Sequence, residues 1–171
     1  FSDFIVALGY KSSFIKKYFL SHKKVTQIIH KNKNEIDVTI KNNIGENINI
    51  KLVETGKYTM TGGRLLRLKK FLRDETFMFT YGDGLSNVNI SNLLKFHIKN
   101  KKIVTVTAVH PIARFGELQL KKNLVVSFKE KPQTQNTWIN GGYFVIEPSI
   151  FKYIKDDKTI FENKPLEYTS S

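Results

Sequence analysis

Four short stretches of this chain combine carboxylates, cations and glycines in ways that could do chemistry. The first is residues 77–84, FMFTYGDG. Five residues of strand character, Phe77 to Tyr81, run into Gly82, Asp83 and Gly84, the pattern of a buried strand that stops at a carboxylate. In open α/β sheets ligands lie beyond the carboxyl ends of the strands. There a single carboxylate can reach a metal ion while bare glycine backbone approaches a phosphate or a sugar. Asp-Gly is also an ordinary turn signal. The apolar run before it and the helical pattern of residues 91–100 after it weigh against a hairpin turn.

The second stretch is Thr61-Gly62-Gly63-Arg64, which opens a helix with Leu65, Leu68 and Leu72 on one face. That puts Arg64 in a first turn beside backbone amides expected to be free, a natural place for phosphate. A plain surface cation is the alternative. The third is Glu130-Lys131-Pro132, at the end of a predicted strand that Pro132 stops. A lysine is a compact point charge suited to a phosphate monoester, or simply a surface residue. The fourth is WINGGYFVI, residues 138–146. Its Asn140-Gly141-Gly142 marks either a bulge with close approach of a ligand or a hairpin turn.

The elements that must hold these residues are legible in outline. Residues 3–8 read as a buried strand, Gly9-Tyr10 as its exit turn, and Ser12 or Ser13 as the cap of a helix through Leu20 with Phe14, Ile15, Tyr18 and Phe19 inward. Ile36, Val38 and Ile40 alternate with polar neighbours, as do Ile48, Ile50 and Leu52, predicting strands joined by a loop over 42–47, with a second loop over 31–34. Residues 103–109 predict another buried strand. Residues 114–118 and 124–128 predict a hairpin around Lys121-Lys122-Asn123, and Pro148 starts a short helix through Tyr153.

Composition narrows the class. The 171 residues suffice for one core of ordinary size, and no cysteine is present for disulfides or thiolate metal sites. The longest apolar run, near Phe4 to Leu8, is too short to span a bilayer, so a cytoplasmic protein without membrane partners is expected. The net charge of +13 invites a nucleic-acid-binding reading. Only four of the 28 basic residues are arginines, however, and arginine is the side chain that reads phosphates and base edges bidentately. A solvated lysine surface is preferred, and no nucleic-acid partner is expected. His22, His30, His97 and His110 have no paired ligand spacing and read as structural or surface residues.

Taken in order, Thr61 to Arg64, Phe79 to Gly84, Arg114-Phe115-Gly116 with Glu130 to Pro132, and Asn140 to Val145 resemble the motifs of the sugar-1-phosphate nucleotidyltransferases. The resemblance covers nearly the whole chain and is strongest to the cytidylyl branch, with the thymidylyl and uridylyl branches as alternatives. It implies an α/β fold with a Rossmann-like mixed sheet, flanking helices and a small β insertion, of the glycosyltransferase A-like type. The implied reaction is attack of the phosphate oxygen of glucose 1-phosphate on the α-phosphorus of CTP, with Mg²⁺ as cofactor, yielding CDP-glucose and pyrophosphate.

Carried over by position, the resemblance implies Asp83 as the magnesium ligand and Thr59, Arg64 and Gly82 as nucleotide contacts. Gly116, Glu130, Lys131, Asn140 and Gly141 would form the sugar-phosphate site, with Asp83 and Lys131 as the catalytic pair. It further implies one nucleotidyltransferase domain over 1–171, truncated at both ends and inactive alone, because the family's amino-terminal Gly-Gly-x-Gly-Thr-Arg loop and its second metal aspartate have no counterpart here. A homo-oligomer is implied for the full-length protein. The chemistry agrees with this assignment, since phosphoryl-type transfer asks the protein chiefly for positioning and charge neutralisation.

Overall fold

The computed structural model describes residues 1–72, 74–111, 115–130 and 137–169. The chain forms two compact units, one built from Phe1–Glu75 with Pro148–Ser171 and the other from Thr76–Glu147.

The first unit carries a four-stranded mixed sheet. Its strands are β1 (Asp3–Leu8), β2 (Val25–Asn32), β3 (Glu35–Lys41) and β4 (Asn47–Glu54), in the order β1-β4-β3-β2. β1 runs parallel to β4, whereas β3 is antiparallel to both β4 and β2. The alternation expected from the sequence is realised: Ile36, Val38, Ile50 and Leu52 are buried with Leu8, and Ile40 and Ile48 pack against them. On the outer face of the same ladder Asp37 and Lys51, opposite each other in register, form an ion pair. β2 runs through residues expected to be a loop, to Asn32, because a turn at Lys33-Asn34 suffices to reverse the chain. Its pattern is obscure because it is an edge strand exposed along most of its length.

Helix α1 (Ser12–Leu20) starts after Lys11, which adopts a left-handed conformation at φ 56° and caps the helix with its backbone. Neither serine serves as a side-chain cap. Ile15, Phe19 and Leu20 pack on the sheet, but Phe14 and Tyr18, expected inward, face solvent. Nine residues give only two and a half turns, too narrow an apolar stripe to bury four large side chains at once.

Helix α2 (Thr61–Leu68) buries Leu65 and Leu68. Its two glycines are required by packing. A Cβ on Gly63 would lie 2.5 Å from the backbone of Asp157, and one on Gly62 would lie 2.8 Å from the carbonyl of Thr159. Arg67 closes the same seam with a bidentate bond to Asp157, whose carboxyl that hydrogen bond holds below its ordinary range. Beyond the second unit, a short 3-10 turn (Pro148–Tyr153) and helix α4 (Lys164–Thr169) complete this unit.

The second unit is built on a three-stranded sheet of β5 (Phe77–Thr80), β6 (Val104–Val109) and β9 (Ile139–Ile146), with β9 central and antiparallel to both neighbours. β5 and β6 therefore run parallel, linked by helix α3 (Ile90–Asn100), which Asn89 caps by accepting a hydrogen bond from the Asn92 amide. β5 is shorter than the sequence suggests, because Tyr81 lies beyond its end, and it is half-buried. β6 likewise buries only Thr105 well. Both are edge strands of this sheet. The deep burial falls instead on Phe144, Val145 and Ile146 of β9, the strand with a neighbour on each side. The expected hairpin forms from β7 (Glu117–Lys121) and β8 (Leu124–Lys129), turning at Lys122-Asn123.

The ends of this unit are held together. Phe77 pairs with Ile146, and the Thr76 hydroxyl donates to Glu147 at 2.8 Å. His97, only 1% exposed, reaches Thr105 through Nδ1 at 2.8 Å and Glu147 through Nε2 at 2.9 Å. This bears out a structural role for that histidine.

Candidate functional site

Asp83 sits in the turn that leaves the carboxyl end of β5, from which the chain passes through a helix to β6, the strand that runs parallel to β5 on the far side of β9. In such α/β arrangements ligands lie beyond the carboxyl ends of the strands. The sequence expects a strand end here, and the structure adds the means by which the turn is held. Opposite it, β9 bulges: between the pairs Val106↔Phe144 and Ala108↔Asn140, one residue of β6, Thr107, faces Gly141, Gly142 and Tyr143. Bulges leave backbone groups unpaired. Here Thr107 Oγ1 donates to the freed Tyr143 carbonyl at 2.7 Å, and the Gly142 amide donates to Asn140 Oδ1 at 2.8 Å.

Two further hydrogen bonds connect that bulge to the Asp83 turn. Asn140 Nδ2 donates to the Tyr81 hydroxyl at 3.2 Å, and the Tyr143 hydroxyl donates to the Gly84 carbonyl at 3.0 Å. The turn is thus gripped on both sides of Gly82-Asp83. Asn140-Gly141-Gly142 is therefore a bulge and not a hairpin turn. Gly142 has φ +80°, with the Tyr81 ring 3.1 Å from where a Cβ would stand, and a Cβ on Gly141 would lie 3.0 Å from the Thr107 carbonyl.

Gly82 differs from these. Its φ is not positive, and among the described residues a Cβ there would meet nothing within 4 Å. Neither backbone conformation nor packing among the described residues demands glycine at this position. Asp83 itself is exposed, and its carboxylate has no hydrogen bond or ion pair among the described residues. An oriented turn thus presents an unengaged carboxylate beside open backbone.

Gly116 and Glu130 are brought together by the β7–β8 hairpin. A Cβ on Gly116 would stand 2.5 Å from the Phe128 ring and 3.2 Å from Glu130 Oε2. Lys131, expected beside them, lies outside the described residues, as do Arg114 and Pro132.

In the first unit, Thr59 and Arg64 both brace the loop between β4 and α2. Arg64 Nη1 donates to the Leu8 carbonyl at 3.2 Å and to Thr55 Oγ1 at 2.7 Å, while Nη2 reaches the Lys57 carbonyl at 3.5 Å. Its guanidinium lies over Gly9, where a Cβ would come within 2.2 Å of Nη1. It therefore ties together the carboxyl ends of the parallel strands β1 and β4. Thr59 Oγ1 packs on Gly56, whose φ is +93°.

The amides at the start of α2 are not free, contrary to expectation. Gly62 N and Gly63 N donate to the Thr159 carbonyl at 3.0 and 3.2 Å, so the glycine pair serves packing and not an anion. Sequence reasoning missed Tyr81, Tyr143 and Thr107. Tyr81, directly before Gly-Asp-Gly, was the one with a signal: an aromatic with a polar tip at a strand end needs a hydrogen-bond partner.

Comparison with known proteins bears on the family and the fold. The chain is 41% identical over 169 residues to a glucose-1-phosphate cytidylyltransferase of Salmonella typhimurium, covering 96% of this chain and 64% of that protein. It is 38% identical over 170 residues to a probable glucose-1-phosphate cytidylyltransferase of Bacillus subtilis, covering 96% and 65%. The chain thus spans somewhat under two thirds of these relatives' length. In fold it is similar to the crystal structure of HddC from Yersinia pseudotuberculosis, with a TM-score of 0.62 at 18% identity, over 95% of this chain and 63% of that one. The nucleotidyl transferase family model matches residues 11–169, and the chain belongs to that family.

Proposed function

We propose that the full-length protein is a glucose-1-phosphate cytidylyltransferase: it transfers the cytidylyl group of CTP to α-D-glucose 1-phosphate, giving CDP-glucose and pyrophosphate. The observation that carries this reading is the 38–41% identity to such enzymes over 96% of the chain. Both compact units are read as parts of one nucleotidyltransferase domain.

Asp83 is the proposed magnesium ligand. Among the described residues no cluster of three or more His, Asp or Glu side chains could cage a metal. A single unengaged carboxylate nevertheless fits Mg²⁺, which takes one or two carboxylates and completes its shell with water and substrate phosphate oxygens. When bound, the ion would neutralise charge developing on the phosphates. The protein's part is orientation. Tyr143 and Asn140 hold the turn that carries Asp83, and bare Gly82 admits the nucleotide.

Thr59 and Arg64 are proposed nucleotide contacts. Among the described residues, Arg64 Nε and the rest of its Nη2 capacity remain for a phosphate after the bonds to Leu8, Thr55 and Lys57 are counted. Gly116, Glu130, Lys131, Asn140 and Gly141 are the proposed sugar-phosphate site, Glu130 accepting from sugar hydroxyls and Lys131 binding the phosphate. The full-length protein is further proposed to be cytoplasmic and homo-oligomeric and to serve nucleotide-sugar supply for surface polysaccharide. Among the described residues no helix is long and apolar enough to cross a membrane.

The test is pyrophosphate release and nucleotide-sugar formation by the full-length protein with glucose 1-phosphate and each of CTP, UTP and dTTP in turn. A clear preference for CTP is expected. Preference for UTP or dTTP would move the protein to a neighbouring branch, and no product with any of the three would overturn the reading.

A further inference from the structure

Trp138 is the sole tryptophan of the 171 residues, and it is 63% exposed. An indole that size in water forgoes a large apolar gain unless something covers it. It is also held in place. The His110 ring stacks on it with centroids 3.6 Å apart and a 34° tilt. His110 is fixed in turn, because its Nδ1 lies 3.1 Å from the Thr137 carbonyl and a carbonyl can only accept. These residues each lie one position beyond the Val109↔Ile139 pair that ends the β6–β9 ladder. One face of the indole is backed by the imidazole, and the side chain remains largely open to solvent.

Trp138 stands directly before β9 and two residues ahead of Asn140, the spacing that places side chains on one side of an extended backbone. Asn140 reaches from there to Tyr81, at the base of the Asp83 turn. The order along this side is therefore Trp138, Asn140, then the turn with Asp83. We infer that Trp138 is a stacking platform for the hexose ring of the sugar phosphate, and that His110 is a positioning residue that locks the indole. This rests on the assignment of Asn140 to the sugar-phosphate site made above. The apolar face of a pyranose presents polarised C–H bonds, which the negative face of an aromatic ring attracts. A ring locked before binding loses little rotamer freedom when the sugar arrives.

The experiment uses the full-length protein, wild type and with Trp138→Phe, Trp138→Ala and His110→Ala. In steady-state kinetics Trp138→Ala is expected to raise KM for glucose 1-phosphate about three- to tenfold with KM for CTP within about twofold. Trp138→Phe should recover most of the loss, and His110→Ala should fall between. Independently, the difference in fluorescence between wild type and Trp138→Phe isolates this indole. It should change saturably with glucose 1-phosphate and not with inorganic phosphate. An unchanged glucose 1-phosphate constant in Trp138→Ala, an equal rise in both constants, or an indole signal that follows CTP but not glucose 1-phosphate would overturn the inference. If the wild type forms no nucleotide-sugar, the cytidylyltransferase reading fails, and the fluorescence titration alone decides whether the indole meets the sugar.

Discussion

His97 Nε2 and Glu147 Oε1 lie 2.9 Å apart, joining a fully buried imidazole in α3 to a half-exposed carboxylate just past the end of β9. The hydrogen bond to His97, helped by Thr76, holds the Glu147 carboxyl below its ordinary value of 4.5 against the opposing effect of burial. A carboxylate whose pKa is depressed on folding contributes stability that is fully present above the unfolded value and is lost as pH falls through the folded one. Glu147→Gln should therefore lower the thermal midpoint at pH 7, and the gap to wild type should close as the pH drops below about 4.5. Thermal melts at several pH values check this. A gap that widens on acidification would show that Glu147 does not supply the pH-dependent part.

Asp83→Ala separates chemistry from folding. With no side-chain partner among the described residues, Asp83 should shift stability by no more than about 0.5 kcal/mol when truncated. Turnover of the full-length enzyme should fall on the order of 10² to 10³. Full activity in Mg²⁺ would mean that Asp83 only shapes a turn.

Gly63 and Gly82 should respond oppositely to alanine. Helix propensity favours Gly63→Ala, but its Cβ would meet Asp157 backbone at 2.5 Å, so net destabilisation of about 1–3 kcal/mol is expected. Gly82→Ala enters open space and should leave stability unchanged or slightly higher, while weakening CTP binding. Chemical denaturation and a CTP titration measure the two effects.

Tyr143→Phe removes the hydroxyl that donates to Gly84 and nothing else of the ring. The melt should move little, whereas turnover should drop and the Mg²⁺ concentration needed for half-maximal rate should rise, because the turn that carries the proposed metal ligand is less well fixed. An unchanged metal dependence would disconnect the bulge from the carboxylate.

Lys131→Ala should raise KM for glucose 1-phosphate and leave KM for CTP nearly unchanged, since a neutral side chain loses attraction to the sugar phosphate without altering the triphosphate side. Varying each substrate in turn checks it, and an equal rise in both constants would refute the assignment.

Much of the fold was readable where a local rule had no competitor. Ile36, Val38, Ile50 and Leu52 alternate because one face of their sheet is buried, and the Asp83 strand end follows from an apolar run meeting two glycines. The failures came from information that sequence neighbours do not carry. The glycines at 62 and 63 look like an anion cradle until the Thr159 carbonyl, almost a hundred residues away, is seen to occupy their amides. Phe14 and Tyr18 have inward spacing but no surface left to cover. Arg64 reads as a ligand-facing cation, yet most of its bonds hold the ends of β1 and β4. The hydrogen bonds from Asn140 and Tyr143 to the Asp83 turn each span 59 residues, and no periodicity reports them.

The bond from Thr76 to Glu147 joins the first and last residues of the second compact unit, and the pairing of Phe77 with Ile146 continues the closure inward. Seventy-odd residues of chain therefore leave and return through a single doorway. For protein engineering that makes residues 76–147 a cassette: its two cut points already sit within hydrogen-bonding reach, so grafting it into a surface loop of an unrelated host would ask that host to hold its own chain ends no farther apart than a hairpin does. Transplanted, such a cassette would carry the Asp83 turn and the bulge that grips it as one inherited part.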